Sequence, residues 1–568
     1  MPRRQLHTLS EFIKLAEFNP TDEQQAVVDC VCSGQSVVVK AFAGSGKTAT
    51  GVESARQSKR RGRMVVFNNA ARWDAKARMP EQIVVTTGHG MAHDSIIKAS
   101  AAFAKKLQWV LDHPRHEIPP GTIANEFSLP SLPNHQCSVR ELAVAVKHTL
   151  RAFLISADFD IDTHHIPEEV LPLTLRMELS PRLTDLKGLI VEHTRAVWKR
   201  MSSEYDTFPI DHDGYLKLLH LRGTQLAEPE HLWLLDEYQD TNPVMDAIIS
   251  GQPGQKVYIG DPYQQIYGWR GAINAMADKI AEGLPVLPLS RSFRFNHQVA
   301  GAANLLLKGM GETTPLVGEP YNLTQMNLHK PHTVLVRNNL TMVSLAQEYA
   351  SLNQSVYVPK KLSKETCSKV ESALALFEGR LDDVKIRKLR ELGSWDEYKR
   401  FVKDAGAHNP EYRILKTLVE RYHKTLPDLL RMCRLPYESI RDHSRRVTLV
   451  TAHRAKGREW NYVRLADDLA LPQTTINKMC HGMQLTPTEQ ESVNLLYVAL
   501  TRCKKGLVLP RSIQDNLAEL NRYFGENAAD TLAHKSKHIP DDEVRRRTAE
   551  FIAKYGSKGT HRATQKQA

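Results

Sequence analysis

The chain has 568 residues, a length that predicts about four domains and excludes a small single-domain binding module. Charged residues make up 25% and hydrophobic residues 41% of the chain, which is typical of a globular protein and excludes a disordered or fibrous one. Lysine and arginine outnumber aspartate and glutamate by 76 to 64, and the net charge of +12 is compatible with a polyanionic partner without requiring one.

The first clear element is a strand that leads through a glycine-rich turn into a helix, at residues 36–56. This is the context of a phosphate-binding loop, in which Lys47 would reach phosphate oxygens and Thr48 would offer its hydroxyl to Mg²⁺. Ala41 replaces the first glycine of the usual G-x-x-x-x-G-K-T pattern. The predicted nucleotide-binding residues of the loop are Ala43, Gly44, Ser45, Gly46, Lys47 and Thr48.

Two groups of short apolar runs are typical of buried parallel strands, which carry functional residues at their C-terminal ends. The first group comprises residues 64–67, 83–85, 232–235 and 256–259. The second group comprises residues 334–337, 447–450, 462–465 and 506–509. Hydrophobic residues at a spacing of three to four predict helical stretches at about residues 100–205 and 362–442. The sequence therefore predicts two α/β sheets in series, each with a helical insertion.

The first helical stretch contains a loop rich in aspartate and histidine. His164 and His165 follow Asp158, Asp160 and Asp162, a composition that superficially suggests a metal site. The spacing matches no common ligand pattern, so we interpret this segment as an exposed acidic loop.

Two adjacent carboxylates, Asp236 and Glu237, follow the apolar run at residues 232–235. Asp236 can hold Mg²⁺ through its water shell, and Glu237 can orient and deprotonate an attacking water molecule. Acidic pairs after strands are common and usually solvated. Together with the phosphate-binding loop upstream, this pair favours nucleotide hydrolysis over a nucleotide-binding switch.

From this point the sequence resembles a family. The segments 236–240 and 260–272 resemble motifs II and III of the UvrD/Rep-type superfamily 1A DNA helicases. Six further segments resemble motifs Q, Ia, Ib, IV, V and VI in the same order: residues 21–24, 67–71, 87–92, 292–295, 451–460 and 496–502. The amino-acid sequences of these motifs, together with residues 212–218, are most similar to the helicase part of the F-box DNA helicase family. About twenty residues precede the first motif, so the F-box itself is not expected in this sequence.

The resemblance implies ATP and Mg²⁺ as cofactors and assigns roles around the nucleotide. Gln24 would read the adenine edge, Phe293 would stack on the adenine, and Glu459 would contribute to nucleotide binding. Gln264 would sense the γ-phosphate and couple it to the DNA site. Arg294 and Arg502 would act as arginine fingers on the transferring phosphoryl group, although either arginine alone could equally serve a surface salt bridge.

The resemblance also implies single-stranded DNA and single-strand/duplex junctions as partners. Tyr267, Trp269 and Arg270 form the predicted strand-contact set, because stacking on an aromatic face tolerates any base. Tyr267 and Trp269 could alternatively pack in a core. Asn68, His89 and His453 are further candidates for phosphate or base contacts, with His453 open to being a satisfied core histidine.

The predicted fold class is α/β, with two RecA-like P-loop NTPase cores that each carry a mainly helical insertion. The first core comprises residues 1–100 and 206–285, and its insertion residues 101–205. The second core comprises residues 286–361 and 443–530, and its reduced insertion residues 362–442. Residues 531–568 form a basic C-terminal tail, interpreted as exposed, with an auxiliary nucleic-acid contact as the alternative.

Seven cysteines without C-x-x-C pairs predict reduced thiols, and no stretch approaches the ~18 apolar residues of a membrane span. We therefore expect an intracellular protein without a membrane partner, cytoplasmic if the source is prokaryotic or viral. A monomer is compatible with the sequence, and protein partners stay open.

The function predicted from the resemblance is an ATP-dependent single-stranded DNA translocase and helicase of 3′-to-5′ polarity. One alternative is a DNA-stimulated ATPase that strips proteins from single-stranded DNA without extensive unwinding. Another is a motor subunit or structural DNA-binding component of a larger complex. Repair, recombination, replication and phage or defence systems all use such motors, and no residue selects among these pathways.

Overall fold

The computed structural model describes residues 19–113, 116–172, 175, 181–268, 275–351, 354–358, 364–405, 410–427, 430 and 446–524. The chain divides after Ser290 into two compact units, each with a parallel sheet of its own. Within the described residues, no helix combines the length and apolar character that crossing a bilayer requires.

Six parallel strands form the sheet of the first unit. They are β1 (Val37–Ala41), β2 (Gly62–Val66), β3 (Ile83–Thr87), β4 (Leu232–Leu235), β5 (Gln255–Gly260) and β6 (Val286–Leu289), in the spatial order β3-β2-β4-β5-β1-β6. Consecutive residues of β1 belong to different core clusters, Val37 and Val39 to one and Val38 to the other, because both faces of the sheet are covered. Burial on both faces explains why the strands are continuous apolar runs instead of alternating ones.

The predicted boundary between the two cores, at residues 285 and 286, needs correction. Residues 286–289 form β6, which pairs with β1 in the first sheet through Val38 with Val286 and Ala41 with Leu289. Sequence periodicity cannot distinguish the last strand of one sheet from the first strand of the next, since both are short and apolar. The first unit therefore extends to Ser290.

Some helices of the first unit lie beside the sheet. The others form a helical layer from the segment that follows β3 and precedes β4 in the sequence. In chain order, the helices of the unit are α1 (Asp22–Ser33), α2 (Lys47–Ser58), α3 (Asn69–Lys76), α4 (Gly88–Ala92), α5 (Ala101–Leu111), α6 (Pro120–Glu126), α7 (Val139–Ile155), α8 (Pro181–Ser202), α9 (His212–Leu221), α10 (Pro243–Ser250) and α11 (Ala275–Ala281). Capping boxes fix the starts of α1, at Thr21 with Gln24, and of α7, at Ser138 with Glu141. Helices α5 to α9 share one apolar core, which includes Phe103, Phe153 and Leu186.

The second unit has a five-stranded parallel sheet and a separate parallel strand pair. The sheet strands are β9 (His332–Val336), β10 (Val356–Tyr357), β11 (Val447–Thr451), β12 (Trp460–Leu465) and β13 (Cys503–Val508), in the order β10-β11-β9-β12-β13. The pair is β7 (Arg291–Asn296) with β8 (Val317–Glu319). Four of the five sheet strands, β9, β11, β12 and β13, correspond to apolar runs predicted from the sequence, and β10 does not.

Helices of the second unit fall into two groups. The first group lies along the sheet: α12 (His297–Gly309), α13 (Asn339–Ser351), α18 (Ala452–Ala455), α19 (Gln473–Cys480), α20 (Pro487–Leu500) and α21 (Arg511–Phe524). The second group lies between β10 and β11: α14 (Lys364–Phe377), α15 (Arg387–Glu391), α16 (Trp395–Ala405) and α17 (Pro410–Tyr422). This second group packs around Val370, Tyr398 and Leu418.

Candidate active site

The phosphate-binding loop joins β1 to α2. Gly44 and Gly46 have φ angles of 77° and 81°, in the left-handed region that glycine adopts without steric cost. Gly46 is the N-cap of α2 and makes no side-chain capping bond. The first backbone N–H groups of a helix point out of its N-terminus, so those of α2 face the loop and are suited to an anion. Ala41 is the last strand residue and is buried, so its position does not require the conformational freedom of glycine. The sequence departure at Ala41 thus leaves the anion-binding geometry intact.

Gln24 holds α1 against the phosphate-binding loop. Its side-chain oxygen accepts from the Thr21 backbone N–H at 3.0 Å, and its Nε2 donates to the Ser45 carbonyl oxygen at 3.3 Å. The residue is 3% exposed. The amide predicted to read the adenine edge therefore lies beside the loop, where it contacts the backbone of Ser45.

The acidic pair follows β4 at the same edge of the sheet. The Thr48 hydroxyl donates to Asp236 Oδ2 at 3.4 Å, although the two residues are 188 positions apart in sequence. Burial and the adjacent Glu237 carboxylate raise the pKa of Asp236 to about 6, against the opposing charge of Lys47. A hydroxyl and a carboxylate are the oxygen ligands that Mg²⁺ prefers, so the donor set fits this ion.

A chain of hydrogen bonds connects Glu237 to Gln264. Gln239, fully buried, donates through Nε2 to Glu237 Oε2 and accepts through Oε1 from the Asp261 backbone N–H at 3.0 Å. Asp261 Oδ2 in turn accepts from Gln264 Nε2 at 2.7 Å. Glu237 itself has a φ of 55°, an uncommon backbone for a residue with a side chain, and such conformations cluster at functional sites.

Gly260 makes room for this chain. A Cβ atom at this position would lie 2.3 Å from Gln239 Oε1 and 2.6 Å from Met276 Sδ. Both distances are shorter than real Cβ contacts. The buried amide of Gln239 therefore requires glycine at the end of β5.

Tyr267, three residues beyond Gln264, forms an aromatic pair with Phe67. The rings of Phe67 and Tyr267 are stacked, with centroids 5.4 Å apart and an interplanar angle of 9°. Phe67 is 37% exposed, so one of the two rings reaches solvent. Trp269 and Arg270, the other members of the predicted strand-contact set, lie outside the described residues.

The other predicted DNA-contact residues of the first unit have structural partners. Asn68 is exposed and caps α3, since its Oδ1 accepts from the Ala71 backbone N–H at 2.9 Å. His89 Nε2 lies 3.1 Å from Asp213 Oδ1. A cavity of about 120 Å³ opens among the ends of β2 and β4, and its lining includes Phe67, His89 and Glu237.

Two predicted residues of the second unit, Arg294 and Glu459, form a charged cluster with Lys504. Arg294 Nε donates to Glu459 Oε2 at 2.8 Å, and Arg294 Nη1 donates to the Thr501 carbonyl oxygen at 3.3 Å. Partial burial opposes ionisation of Glu459, but hydrogen bonds from Lys504 and Arg294 hold the pKa of its carboxyl group below the ordinary value. Phe293 is 49% exposed, and the Arg291 guanidinium lies over its ring.

Arg502 is buried, and His453 is half-buried. Arg502 is 1% exposed, and its guanidinium donates to the Val498 carbonyl oxygen at 2.8 Å and to the Thr501 hydroxyl at 3.0 Å. His453 is half-buried, with Nε2 3.8 Å from a carboxylate oxygen of Glu491. The structure thus brings Arg294 and Glu459 into contact and joins both arginines to Thr501.

A family model described as "UvrD-like helicase C-terminal domain" matches residues 227–512, half of the 568-residue chain. The chain belongs to the UvrD-like helicase family. The matched segment of this UvrD-like helicase begins just before β4 and ends after β13, so it includes the acidic pair and the charged cluster of the second unit.

Individual relatives are also helicases by name. F-box DNA helicase protein 1 of Schizosaccharomyces pombe is 30% identical over 536 residues, which cover 87% of this chain and 57% of that protein. F-box DNA helicase 1 of Gallus gallus is 26% identical over 538 residues, 90% of this chain and 51% of that protein. DNA helicase II of Escherichia coli is 33% identical over 81 residues, 13% of this chain and 11% of that protein. The UvrD-like helicase chain therefore spans about half the length of the first two relatives.

Sequence reasoning missed three residues of the site. Phe67 begins the segment that resembles motif Ia, and its aromatic ring between a strand and a polar stretch was the available signal. Gln239 lies two residues after Glu237, but no local pattern indicates that its amide reaches β5. No sequence pattern indicates Lys504, because its contact with Glu459 depends on how β12 and β13 pair.

We expect Gly260→Ala to destabilise the protein by about 1–3 kcal/mol, because the added methyl group would overlap the buried amide of Gln239 and the sulfur of Met276. Gly188→Ala is the matched control. Gly188 lies within α8 with open space around a Cβ, so this change should be neutral or stabilise by up to about 1 kcal/mol. Urea denaturation of both variants measures the difference, and equal stability of the two would contradict the expectation.

Proposed function

We propose that this UvrD-like helicase is an ATP-dependent motor that moves along single-stranded DNA and unwinds duplex DNA. The observation that supports this best is the continuous path from Glu237 through Gln239, Asp261 and Gln264 to the segment that carries Tyr267. A path of this kind joins a hydrolytic carboxylate to a base-stacking ring within one unit. It is the connection that a motor needs and that a static DNA-binding protein does not.

In this proposal the phosphate-binding loop holds the nucleotide. The backbone of residues 43–46 and the side chain of Lys47 bind the β- and γ-phosphates. Thr48 and Asp236 hold Mg²⁺, which when bound neutralises charge that develops on the phosphates. Glu237 accepts the proton of the attacking water molecule, and Gln239 fixes the orientation of that carboxylate.

The remaining nucleotide-site residues are proposed from the motif resemblance. Gln24 and Phe293 would contact the base, and Glu459 would contribute to nucleotide binding. Arg294 and Arg502 are proposed as the arginine fingers. Arg294 would have to exchange its contact with Glu459 for the phosphoryl group, and this exchange is favourable only when the phosphate adds negative charge nearby.

For DNA, we propose that Phe67 and Tyr267 form a stacking platform. The exposed ring of Phe67, stacked on Tyr267, suits a base of a single strand without regard to sequence. Trp269, Arg270, Asn68, His89 and His453 are proposed as further contacts to the strand. The net charge of +12 is consistent with binding to a polyanion.

The two parallel α/β units support the proposal that the protein has two RecA-like cores. The first core would comprise residues 1–100 and 206–290, and the second residues 291–361 and 443–530. Residues 101–205 and 362–442 would be the helical insertions. The basic tail, residues 531–568, lies outside the described residues.

Glu237→Gln should lower the rate of ATP hydrolysis by about 10²- to 10⁴-fold and leave ATP affinity nearly unchanged, because the amide cannot accept the proton of water. Glu230→Gln, at an exposed position of the same unit, serves as the control. Steady-state ATPase assays with and without single-stranded DNA measure the effect. A Glu237→Gln protein with wild-type turnover would refute the assignment of the base.

Phe67→Ala should weaken binding of single-stranded DNA by about 1–3 kcal/mol, the loss expected when one base loses its stacking partner. Tyr205 is fully exposed in the helical layer and is not part of the aromatic pair, so Tyr205→Ala should bind like the wild type. Fluorescence anisotropy with a labelled oligothymidine measures both affinities. If the two variants lose equal affinity, the pair is not the platform.

The helicase activity and its 3′-to-5′ polarity are tested with duplexes that carry a single-stranded tail at either end. We expect ATP-dependent strand separation from the 3′ tail only. Unwinding only from the 5′ tail would reverse the polarity. Displacement of a protein bound to the tail, without strand separation, would instead support the protein-stripping function.

A further inference from the structure

Three side chains of the loop between α7 and α8 converge on one point. His164 Nε2 and His165 Nε2 each lie 2.9 Å from the same oxygen, Asp158 Oδ2. The three ligand-type atoms all lie within 4.8 Å of one another. The sequence predicted an exposed acidic loop, and this holds for Asp158 and His164, but the side chain of His165 is only 2% exposed.

The loop is fixed from two helices of the first unit. Lys217 of α9 donates to the Ser156 carbonyl oxygen at 2.9 Å and to the Asp158 carbonyl oxygen. Arg195 of α8 donates to the Ile161 carbonyl oxygen at 2.6 Å and to the Asp160 carboxylate at 2.8 Å. The positions of Asp158 and His165 are therefore set by surrounding structure, and the Lys217 ammonium is directed at backbone carbonyls and not at the Asp158 carboxylate.

The Nδ1 atom of His165 has a hydrogen-bond partner in either tautomer of the ring. Nδ1 lies 3.2 Å from the Asp162 carbonyl oxygen and 3.1 Å from the Asp162 backbone nitrogen. If Nδ1 carries the proton, it donates to the carbonyl, and the lone pair of Nε2 faces both Asp158 Oδ2, at 2.9 Å, and the Ser156 hydroxyl, at 3.2 Å. This is the usual arrangement of a metal-binding histidine, in which a backbone carbonyl fixes the ring. If Nε2 carries the proton, it donates to Asp158, so the site is also satisfied without a metal.

We propose that Asp158, His164 and His165 bind a divalent transition-metal ion, with Zn²⁺ as the expected occupant. Two imidazole nitrogens and one carboxylate oxygen favour zinc over magnesium or calcium, which prefer oxygen ligands alone. Bonds of about 2.0–2.2 Å in a tetrahedral site place neighbouring ligand atoms roughly 3.3–3.6 Å apart. The two 2.9 Å histidine–aspartate pairs would therefore widen by about half an ångström, and the two histidine nitrogens already lie within 4.8 Å of each other.

The exposure of the site allows water to complete the coordination. Asp158 and His164 are 47% and 61% exposed, so the metal enters from solvent without opening the core. The ion would join residue 158 to residues 164 and 165 within the first half of the loop. It would thereby close the loop on α7 and stabilise the helical layer. This proposal does not rest on ATP hydrolysis or DNA binding.

The test uses the full chain, stripped of metal with a chelator and titrated with zinc chloride. We expect one Zn²⁺ per chain at this site, measured by calorimetry and elemental analysis, and a rise in the midpoint of thermal unfolding. Asp158→Asn and His164→Ala should each lower zinc affinity at least tenfold and remove the rise, while Mg²⁺ should produce neither effect. Both changed side chains are exposed, so the variants should fold, which circular dichroism checks.

His135→Gln is the matched control. His135 Nε2 lies 2.9 Å from Asp185 Oδ2, a single histidine–aspartate pair of the same length in the same helical layer. This variant should keep wild-type zinc binding. Equal zinc affinity and thermal response in the wild type, Asp158→Asn and His164→Ala would overturn the proposal, as would the absence of zinc uptake by the wild type. Either result would identify the three residues as a hydrogen-bonded cluster only.

Discussion

The parallel alignment of β1, β5 and β4 is the constraint on which the rest of the first unit depends. Because neighbouring strands run in the same direction, their C-terminal ends lie at one edge of the sheet. The phosphate-binding loop follows β1, the acidic pair follows β4, and Asp261 follows β5. Residues from three distant parts of the sequence meet there without any long connection inside the site. A change of order or direction in any of these strands would separate Thr48 from Asp236.

Those features of the site that depend on neighbouring residues in sequence could be predicted from sequence. The loop around Lys47 has its own signature, because its glycines must adopt left-handed backbone and a helix must follow. Asp236 and Glu237 follow an apolar run whose end determines where they lie. The four apolar runs of each half likewise predicted sheets, because burial on both faces requires continuous hydrophobic residues.

Features that depend on contacts across the sheet could not be predicted. Gln239 is one polar residue among several after β4, and its role appears only when its amide meets the backbone of Asp261. The assignment of residues 286–289 to the second core was wrong for the same reason, because the sequence of a strand does not indicate which strand it pairs with, here β1. His165 is similar: its sequence context is acidic and polar, yet packing against Phe153 buries the ring.

The close contact between Gly260 and Gln239 has a consequence for how this site can vary. The amide of Gln239 and the sulfur of Met276 occupy the space that a methyl group at position 260 would take, so Gln239 keeps its present position only beside glycine. Sequence change at these two positions is therefore constrained as a pair. A larger residue in place of Gly260 would require Gln239 and Met276, or β5 itself, to move, and the Glu237 carboxylate would then need another partner to hold its orientation.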